Sequence, residues 1–228
     1  MGESAGGRRS WYTRRVPGIE QIPWLYDLGM SVLETTGLGR WRRWLASGVV
    51  GSRVLDLGCG TGRNLALLDG RVRALGLDPC RPSLLKARRR APHAWLVQGR
   101  AEALPFRDGA FDTVTSGLVF CSVDDPLAGL AEVRRVLRPG GALRMLEHVR
   151  SHHPWQASLQ DLAQPAWTWL TGGCRPNRDT EGTVARAGFA VDTGSRHAVG
   201  SMRRFVARPA WESPRPGRAN TGDHAIRT

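Results

Sequence analysis

An acidic residue followed by glycines at every second position is the part of this sequence best suited to chemistry. A short apolar run ends at Asp56, and Gly58, Gly60 and Gly62 follow it. Glycine lets the chain turn sharply after a strand and lets a ligand approach the backbone, because it has no β-carbon and tolerates a positive φ. Residues 63–68 then predict a short helix whose free N–H groups point back at that ligand.

The spacing of the glycines distinguishes between ligands. A dinucleotide-binding loop has glycine at the first, third and sixth positions of its fingerprint, and the sixth position here is Arg63. This residue argues against an NAD-dependent oxidoreductase. A phosphate-binding loop of the Gly-Lys-Ser/Thr type is also absent from the sequence. Taken alone, the motif leaves open a turn with a purely structural role.

Apolar runs alternate with helical patterns from residue 53 to residue 148. This alternation predicts an α/β fold, a doubly wound and mostly parallel seven-stranded sheet, in which ligands bind at the carboxyl ends of the strands. Asp78 follows the second run about twenty residues after the first glycine, where an acid accepts hydrogen bonds from ribose hydroxyls. The polar residues expected at this edge are Asp56, Asp78, Arg100, Ser116, Glu147 and His148.

The periodicities also predict the order of the elements along the chain. The predicted strands are 53–57, 72–77, 94–97, 111–117, 142–148, 189–192 and 199–207. The predicted helices after the first strand are 83–90, 125–138, 155–170 (interrupted by Pro165) and 179–187. The predicted domain boundaries are 1–10 disordered, 11–47 a lid of two helices, 48–207 the α/β domain and 208–228 a disordered tail.

Composition and charge restrict the class of protein. The chain has 228 residues and a net charge of +13, and Lys86 is the only lysine. Arginines spread along the chain fit either an anionic partner or a bias in composition. No apolar run approaches the ~18 residues of a membrane span, and no secretory signal is recognisable. The four cysteines show no Cys-x-x-Cys pattern, so we expect reduced thiols, no metal site and a cytoplasmic location.

Together the motifs resemble the methyltransferase-11 group of class I S-adenosylmethionine-dependent methyltransferases. The matching segments are 56–62, 76–78, 101–106, 111–112 and 137–141. The resemblance implies an enzyme that uses S-adenosylmethionine and releases S-adenosylhomocysteine. One departure is Arg100, which stands where the group has an acid that meets the adenine amino group. The residues expected to bind the cofactor are Asp56, Gly58, Cys59, Gly60, Gly62, Asp78, Pro79, Ala101, Glu102 and Ser116.

Other segments are similar to narrower groups of methyltransferases. Residues 118–123, 132–141, 147–149 and 173–180 resemble the methyltransferase-like seven group, whose animal members are alkyl thiol methyltransferases associated with membranes and lipid droplets. Their hydrophobic N-terminal anchor has no counterpart here. Residues 24–28 and 41–44 are more similar to quinone-biosynthesis C-methyltransferases and bacterial phospholipid N-methyltransferases. The resemblance therefore favours S-methylation of a small lipophilic thiol and leaves open a quinone, a phenol or an aminolipid.

Candidate residues for the acceptor side lie at the end of the fifth predicted strand and in the lid. His148 is the candidate base, with Glu147 as the second, and a structural histidine is the alternative. Trp24, Tyr26, His148 and Trp155 are the expected substrate-binding residues, and Trp167 and Trp169 would extend an apolar roof, although ordinary packing is the alternative. A sulfonium already activates its methyl group, so alignment and a dry site are the main requirements and no metal is needed.

Two rival classes of function remain open at this point. A nucleic-acid methyltransferase would explain the positive charge, but the Asn/Asp-Pro-Pro-aromatic signature that stacks a flipped base is absent after the fourth strand. A non-catalytic protein that senses the cofactor is supported only by Arg100. We therefore expect a small-molecule acceptor, no nucleic acid, no membrane span, and a monomer or homodimer.

Overall fold

The computed structural model describes residues 22–33 and 37–210. The strands are β1 (Arg53–Leu57), β2 (Arg73–Asp78), β3 (Trp95–Gln98), β4 (Phe111–Gly117), β5 (Leu137–His148), β6 (Phe189–Val199) and β7 (Met202–Pro209). The helices are α1 (Pro23–Leu33), α2 (Gly39–Ser47), α3 (Arg81–Arg90), α4 (Pro126–Val136), α5 (Pro154–Thr171) and α6 (Thr180–Arg186).

The seven strands form one sheet in the order β3-β2-β1-β4-β5-β7-β6. The first five strands are parallel, and β7 pairs antiparallel with both β5 and β6. This confirms the predicted α/β fold and its mostly parallel seven-stranded sheet. The order reverses between β1 and β4, and this switch point is where such sheets bind ligands.

Helices cover both faces of the sheet because its central strands are apolar on both sides. One cluster of buried side chains packs α4 and α6 against the sheet, and it includes Leu55, Val114, Leu130 and Val184. A second cluster contains Ala46 of α2, Leu65 and Leu84 of α3. Every residue of β4 is buried, as expected of a central strand in a doubly wound sheet.

Helices α4 and α6 begin at capping aspartates, as the sequence predicts. Asp125 caps α4 by accepting a hydrogen bond of 3.0 Å from the N–H of Ala128, and Pro126 occupies the first turn. Asp179 caps α6 in the same way, accepting from the N–H of Gly182 at 3.0 Å. These caps fix the positions of both helices relative to the strands that precede and follow them.

Several predicted boundaries are wrong. The helix expected over 63–68 is a 3₁₀ turn, Leu65–Leu67, because Asn64 turns its side chain inward and Leu68 is extended. The last two strands form a hairpin whose turn is Gly200-Ser201, so Val199 ends β6 instead of starting β7. Helix α5 continues through Pro165, and β5 begins at Leu137, with a register shift opposite Phe111 and Thr113.

Parts of the predicted domain scheme lie outside the described residues. These parts are residues 1–10, residues 11–21 and 34–36 of the lid, and residues 211–228 of the tail that was expected to be disordered from 208. The start of that tail is wrong, because β7 continues to Pro209. Within the lid, α1 and α2 are helical as expected. Among the helices that the structure describes, none combines the length and the hydropathy that a bilayer crossing requires.

Candidate functional site

The glycine turn follows β1 at the carboxyl edge of the sheet. Gly58, Gly60 and Gly62 have φ values of +62°, +52° and +82°, which L-residues rarely adopt. A β-carbon on Gly58 would lie 2.5 Å from Cγ2 of Val119, whereas one on Gly60 would meet nothing within 4 Å. The turn therefore packs against the loop after β4 at Gly58 and faces open space at Gly60.

Asp56 is fully buried at the end of β1, directly beneath this turn. Its Oδ1 accepts hydrogen bonds from Oγ1 of Thr115 at 2.8 Å and from Nδ2 of Asn64 at 3.2 Å. Its Oδ2 is buried without a hydrogen-bond partner among the described residues. Burial raises the pKa of Asp56 to about 6, although these hydrogen bonds and the charge of Arg42 oppose the shift.

A recess opens beside Asp56 and the glycine turn. Arg42 of α2 is buried and donates a 2.6 Å hydrogen bond from Nη1 to Oδ1 of Asn64, which links the arginine to Asp56. A buried cation here complements a carboxylate, as the buried acid complements an ammonium group. The residues that line the recess are Tyr26, Arg42, Gly58, Cys59, Gly60, Thr61, Arg63, Asn64 and Gly117.

Asp78 stands at the end of β2, next to the turn. Its Oδ2 accepts a 2.9 Å hydrogen bond from the N–H of Gly60, and its Oδ1 accepts one of 2.8 Å from the N–H of Cys80. Burial raises the pKa of Asp78, and the two backbone N–H groups oppose this shift. Each oxygen keeps a further lone pair, so the fixed carboxylate can still accept from hydroxyl groups of a ligand. Pro79 follows it and is exposed.

Arg100 does not replace an acid as a hydrogen-bond acceptor, because its guanidinium turns toward carboxylates of its own chain. Nη2 lies 3.3 Å from Oε1 of Glu102 and 2.8 Å from Oδ2 of Asp124. Burial would raise the pKa of Glu102, but the hydrogen bond from Arg100, backbone hydrogen bonds and the charge of Arg100 together outweigh it and lower the pKa. Ala101 and Leu104 are buried beside this pair. The assignment of Ala101 and Glu102 to the cofactor remains a prediction.

Glu147 is enclosed by the loop that follows β4. Its carboxylate accepts hydrogen bonds from Oγ of Ser116 at 2.8 Å, from the N–H of Val119 at 3.1 Å and from the N–H of Phe120 at 3.2 Å. Burial raises the pKa of Glu147 to about 7, and the hydrogen bonds, first that from Val119, oppose this. Because the side chain has no exposed surface, the expectation of a second catalytic base does not fit. We infer that Glu147 and Ser116 position the loop.

The loop held by Glu147 begins with an unusual backbone conformation. Leu118 has a φ of +63°, which costs a bulky L-residue of order 1–3 kcal/mol. Its N–H donates a 2.7 Å hydrogen bond to the carbonyl of Leu146. The bend turns the N–H groups of Val119 and Phe120 toward Glu147 and sends the chain on to Cys121. Strain of this size persists where surrounding bonds hold it, and it is concentrated at functional sites.

His148 lies beside two cysteines that were given no role from the sequence. Ligand atoms of Cys121, His148 and Cys174 all lie within 4.8 Å of one another. Both cysteines are buried and His148 is half-buried, with Nδ1 buried and without a hydrogen-bond partner among the described residues. The hydrogen bond with Cys121 and the neighbouring His148 lower the pKa of the Cys174 thiol, against the effect of burial. The candidate base therefore stands in a cluster of thiols.

The other predicted substrate residues do not converge on His148. Tyr26 lines the recess beside Gly60 instead. Trp24 and Trp155 expose 64% and 67% of their surface. Trp167 does reach the thiol cluster, because its side chain hydrogen-bonds Cys174. Trp169 is as exposed as Trp155, so ordinary packing does not account for these two side chains, and their place in an apolar roof stays a prediction.

Sequence reasoning missed several residues that hold the site together. Asn64 and Thr115 carry no motif, and a buried arginine such as Arg42 is unexpected because arginines are mostly exposed. Asp27 of α1 lies between the glycine turn and α3, with Oδ1 accepting from Thr61 and Arg63 at 2.7 and 3.1 Å. The only signal for Asp27 and Arg42 was the similarity of residues 24–28 and 41–44 to other methyltransferases.

Comparison with known proteins agrees with this geometry. Residues 55–145 match the family described as a methyltransferase domain. Demethylmenaquinone methyltransferase from Lactiplantibacillus plantarum is 31% identical over 172 residues, which are 69% of this chain and 70% of that protein. The chain belongs to the class I S-adenosylmethionine-dependent methyltransferases. The family membership confirms S-adenosylmethionine as the cofactor.

A second relative and a solved structure are also similar to this methyltransferase. Human thiol S-methyltransferase TMT1B is 35% identical over 153 residues, which are 64% of this chain and 62% of TMT1B. The chain thus spans less than two thirds of that relative. A methyltransferase structure from Thermotoga maritima, described as a possible histamine N-methyltransferase, aligns with a TM-score of 0.63 and 20% identity over 83% of this chain and 97% of its own. At that identity the likeness shows the fold alone.

The described residues fit S-adenosylmethionine. The unpartnered Oδ2 of Asp56 suits the ammonium of the methionine end, and Arg42 suits its carboxylate. The open space at Gly60 leaves room for a ligand against the backbone, and the fixed carboxylate of Asp78 suits ribose hydroxyls. We expect these residues to hold the cofactor, with Leu104 and Phe106 bordering the adenine.

Proposed function

We propose that this methyltransferase methylates the sulfur of a small, lipophilic thiol. The observation that carries the proposal is the convergence of three distant segments, all of which resemble thiol methyltransferases. Cys121, His148 and Cys174 belong to these segments, and they meet within 4.8 Å at one place on the edge of the sheet. The similarity to human TMT1B, a thiol S-methyltransferase, supports the same acceptor.

The reaction requires a thiolate and an aligned methyl donor. When bound, S-adenosylmethionine supplies a methyl group that its sulfonium charge already activates. A thiol with a pKa near 8.5 is a few per cent ionised at pH 7, which costs about 2 kcal/mol. We assign to His148, which lies beside Cys121 and Cys174, the role of lowering this cost at the acceptor sulfur. Alignment of the two reactants contributes the larger part, up to about 7–11 kcal/mol.

The similarity to quinone C-methyltransferases lies in other segments than the similarity to thiol methyltransferases. The similar segments, 24–28 and 41–44, contain Asp27, which accepts a hydrogen bond from Thr61 of the glycine turn, and Arg42, which donates one to Asn64. Contacts around the glycine turn do not depend on the acceptor, so this similarity does not decide between the acceptors. We therefore keep a quinol, a phenol or an aminolipid as the second candidate acceptor, supported by the demethylmenaquinone methyltransferase relative.

A panel of matched acceptors tests the proposal. Octane-1-thiol, octan-1-ol, 2-mercaptoethanol, a naphthoquinol and an aminolipid are incubated with the full chain and radiolabelled S-adenosylmethionine. We expect transfer to octane-1-thiol, weaker transfer to 2-mercaptoethanol and none to the alcohol. Transfer confined to the naphthoquinol or the aminolipid would replace the thiol with the second candidate. His148→Ala tests the role of the imidazole, and a wild-type rate across pH 6–9 would contradict it.

A further inference from the structure

The cluster of Cys121, His148 and Cys174 is made of three ligands that soft metal ions prefer. Cys121 follows β4, His148 ends β5, and Cys174 follows α5. No two of them are close in sequence, so a search for Cys-x-x-Cys spacing cannot find them. In the fold their sulfur and nitrogen atoms come within 4.8 Å of one another. Two thiolates and an imidazole form one of the ligand sets of catalytic zinc sites, which keep a fourth position open.

The distances suit a tetrahedral ion. With Zn–S near 2.3 Å and Zn–N near 2.1 Å, ligand atoms in such a site lie ~3.5–3.8 Å apart. The upper limit of 4.8 Å in the structure is therefore within reach of small side-chain rotations. The two sulfurs come from residues that are 1% and 2% exposed, so the site is shielded, while the half-buried His148 leaves it a side open to an acceptor.

The imidazole of His148 has a buried nitrogen without a partner in the described part of the chain, as is found at sites that take up a ligand. Nδ1 is buried without a hydrogen-bond partner among residues 22–33 and 37–210. Leaving a buried polar atom unpaired costs about 1–3 kcal/mol, and Nδ1 of a neutral imidazole is a good zinc ligand. One ring nitrogen of His148 lies within 4.8 Å of both sulfurs, so the imidazole can complete the set of three ligands around one ion.

Hydrogen bonds to the backbone hold the ligand-bearing segments together. The N–H of Arg175 donates to the carbonyl of Cys121 at 2.9 Å, and Oγ1 of Thr168 donates to the carbonyl of Cys174 at 2.8 Å. Glu147 binds the N–H of Phe120, the residue before Cys121. Such support orients ligands before a metal arrives and is typical of metal sites.

The cluster also lies next to the cofactor. Cγ2 of Val119, two residues before Cys121, lies 2.5 Å from the place where a β-carbon of Gly58 would stand. Ser116, at the end of β4, binds the glutamate that precedes His148. An acceptor held at the cluster is therefore beside the glycine turn, on the same edge of the sheet.

We propose that Cys121, His148 and Cys174 bind one Zn²⁺ ion, whose open fourth position takes the sulfur of the acceptor thiol. This inference rests on the proposed S-methylation. The thiol binds as a thiolate and its proton leaves to solvent, because a metal-coordinated thiol is deprotonated. A lone pair of this sulfur forms the bond to the methyl carbon. The bond between that carbon and the sulfonium sulfur breaks, and its electron pair stays on the sulfonium sulfur, so both products are neutral. The neutral thioether is a weak ligand and leaves.

Metal content of the full chain is the first test. The protein is purified without chelator and dialysed, its zinc is measured by mass spectrometry, and Co²⁺ is then exchanged into it. We expect about one ion per chain and a thiolate-to-cobalt charge-transfer band of a tetrahedral site. No retained zinc together with no such band would overturn the proposal. A disulfide between Cys121 and Cys174 in freshly purified protein would also overturn it.

Matched cysteine variants provide the second test. Cys121→Ser and Cys174→Ser should each lose the bound zinc and the cobalt band, whereas Cys80→Ser, at a half-buried cysteine after β2, should keep both. Thermal unfolding and binding of S-adenosylhomocysteine check that each variant folds. If both Cys121→Ser and Cys174→Ser retained the ion, the assigned ligands would be refuted. A variant that retains the ion is folded, so a folding defect cannot produce this result.

Activity separates this proposal from the proposed function. The zinc-loaded chain and the chelator-stripped chain are compared for transfer to octane-1-thiol. A loss of at least about tenfold on stripping, restored by Zn²⁺, supports the catalytic ion. An unchanged rate in the stripped chain would overturn the zinc proposal while S-methylation stands. Zinc binding without any transfer to thiols would overturn S-methylation. It would also overturn the proposal that the fourth coordination position of the zinc takes the acceptor sulfur.

Discussion

Oγ1 of Thr61 donates a 2.7 Å hydrogen bond to Oδ1 of Asp27, and this bond joins α1 to the glycine turn. The same carboxylate lies 3.1 Å from Nε of Arg63 and 3.1 Å from Nη2 of Arg90. Burial would raise the pKa of Asp27, but hydrogen bonds from Arg90, Thr61 and Arg63 outweigh it and lower the pKa to about 2. Asp27 is therefore ionised at neutral pH and ties α1 both to the glycine turn and to Arg90 of α3.

Substitution of Asp27 should weaken cofactor binding. Asp27→Asn removes the negative charge that pairs with Arg63 and Arg90. The ion pairs that hold α1 against the glycine turn are therefore lost. We expect the Kd of S-adenosylhomocysteine to rise about threefold to tenfold, up to 1.4 kcal/mol, measured by isothermal titration calorimetry. Asp69→Asn, at a more exposed carboxylate paired with Arg71, is the control and should leave the Kd unchanged. An equal Kd in both variants would contradict this role.

Cofactor affinity should depend on pH through Asp56. Its pKa is raised to about 6, chiefly by burial, with the charge of Arg42 opposing and that of Asp78 adding to the shift. Above this pKa the carboxyl is charged and attracts an ammonium group, while below it the carboxyl is protonated and neutral. Affinity should therefore increase as pH rises from 5 to 7.5, most steeply near 6.

Calorimetric titration of S-adenosylhomocysteine at several pH values measures this dependence. Asp56→Asn keeps the size of the side chain and removes its titration, so the variant should bind more weakly and with a flatter profile. Asp78 also has a raised pKa. The variant Asp78→Asn measures how much of the pH dependence of cofactor affinity is due to Asp78. A wild-type profile without slope between pH 5 and 7.5 would exclude the ammonium contact.

Asp112 is expected to stabilise the fold at the edge of the sheet opposite the site. Its buried carboxylate accepts hydrogen bonds from the N–H groups of Ser52 and Arg53 at 2.7 and 2.9 Å and lies 2.9 Å from Nε of Arg138. Asp112→Ala leaves these donors without their acceptor, so the free energy of unfolding in urea should fall by about 1–3 kcal/mol. Asp108→Ala, at an exposed carboxylate paired with Arg135, is the control and should change it little.

The pKa of Asp112 gives this prediction a pH dependence. Burial would raise the pKa, but the backbone hydrogen bonds from Arg53 and Ser52, the side-chain hydrogen bond from Arg53 and the charge of Arg138 together outweigh it and lower the pKa. A folded-state pKa below the unfolded value of about 3.9 stabilises the protein above that value. The stabilisation is lost as pH falls through the folded-state pKa. The difference in the free energy of unfolding between wild type and Asp112→Ala should therefore become smaller in urea titrations at acidic pH. A difference that stays constant with pH would contradict this prediction.

Local patterns in the sequence predicted the turn after β1 and the positions of the acids beside it. The acid and glycines of residues 56–62 and the acid at Asp78 lie within single strand-to-helix connections, so their spacing alone indicates how they meet. Asp125 and Asp179 cap helices for equally local reasons. The parallel sheet followed from the alternation of strands and helices, which needs no knowledge of side-chain contacts.

The acceptor side could not be predicted in the same way. Cys121, His148 and Cys174 meet only because the loop after α5 packs on the loop after β4, as the bond from Arg175 to Cys121 shows. Periodicity contains no information on such a long-range contact. Glu147 was given a chemical role because of its position at a strand end. Its burial, which removes it from solvent, depends on the positive φ of Leu118 and on the loop that follows.

Alanine at two neighbouring glycines should produce different defects. Both positions have a positive φ, which costs an L-residue about 1–2 kcal/mol. Gly58→Ala adds a β-carbon 2.5 Å from Cγ2 of Val119, so the variant must also displace the loop that leads to Cys121. We expect a total loss of about 2–4 kcal/mol in the free energy of unfolding, from strain and overpacking together.

Gly60→Ala should fold better but bind the cofactor worse. Its β-carbon meets nothing within 4 Å and points into space beside the recess that we assign to S-adenosylmethionine. The loss of stability should stay near the cost of the backbone conformation alone, while the Kd of S-adenosylhomocysteine rises at least about tenfold. Urea unfolding and calorimetry on both variants measure the two quantities separately. Wild-type affinity in Gly60→Ala would mean that the cofactor does not approach the backbone at this turn, and the assignments of Asp56 and Asp78 would fall with it.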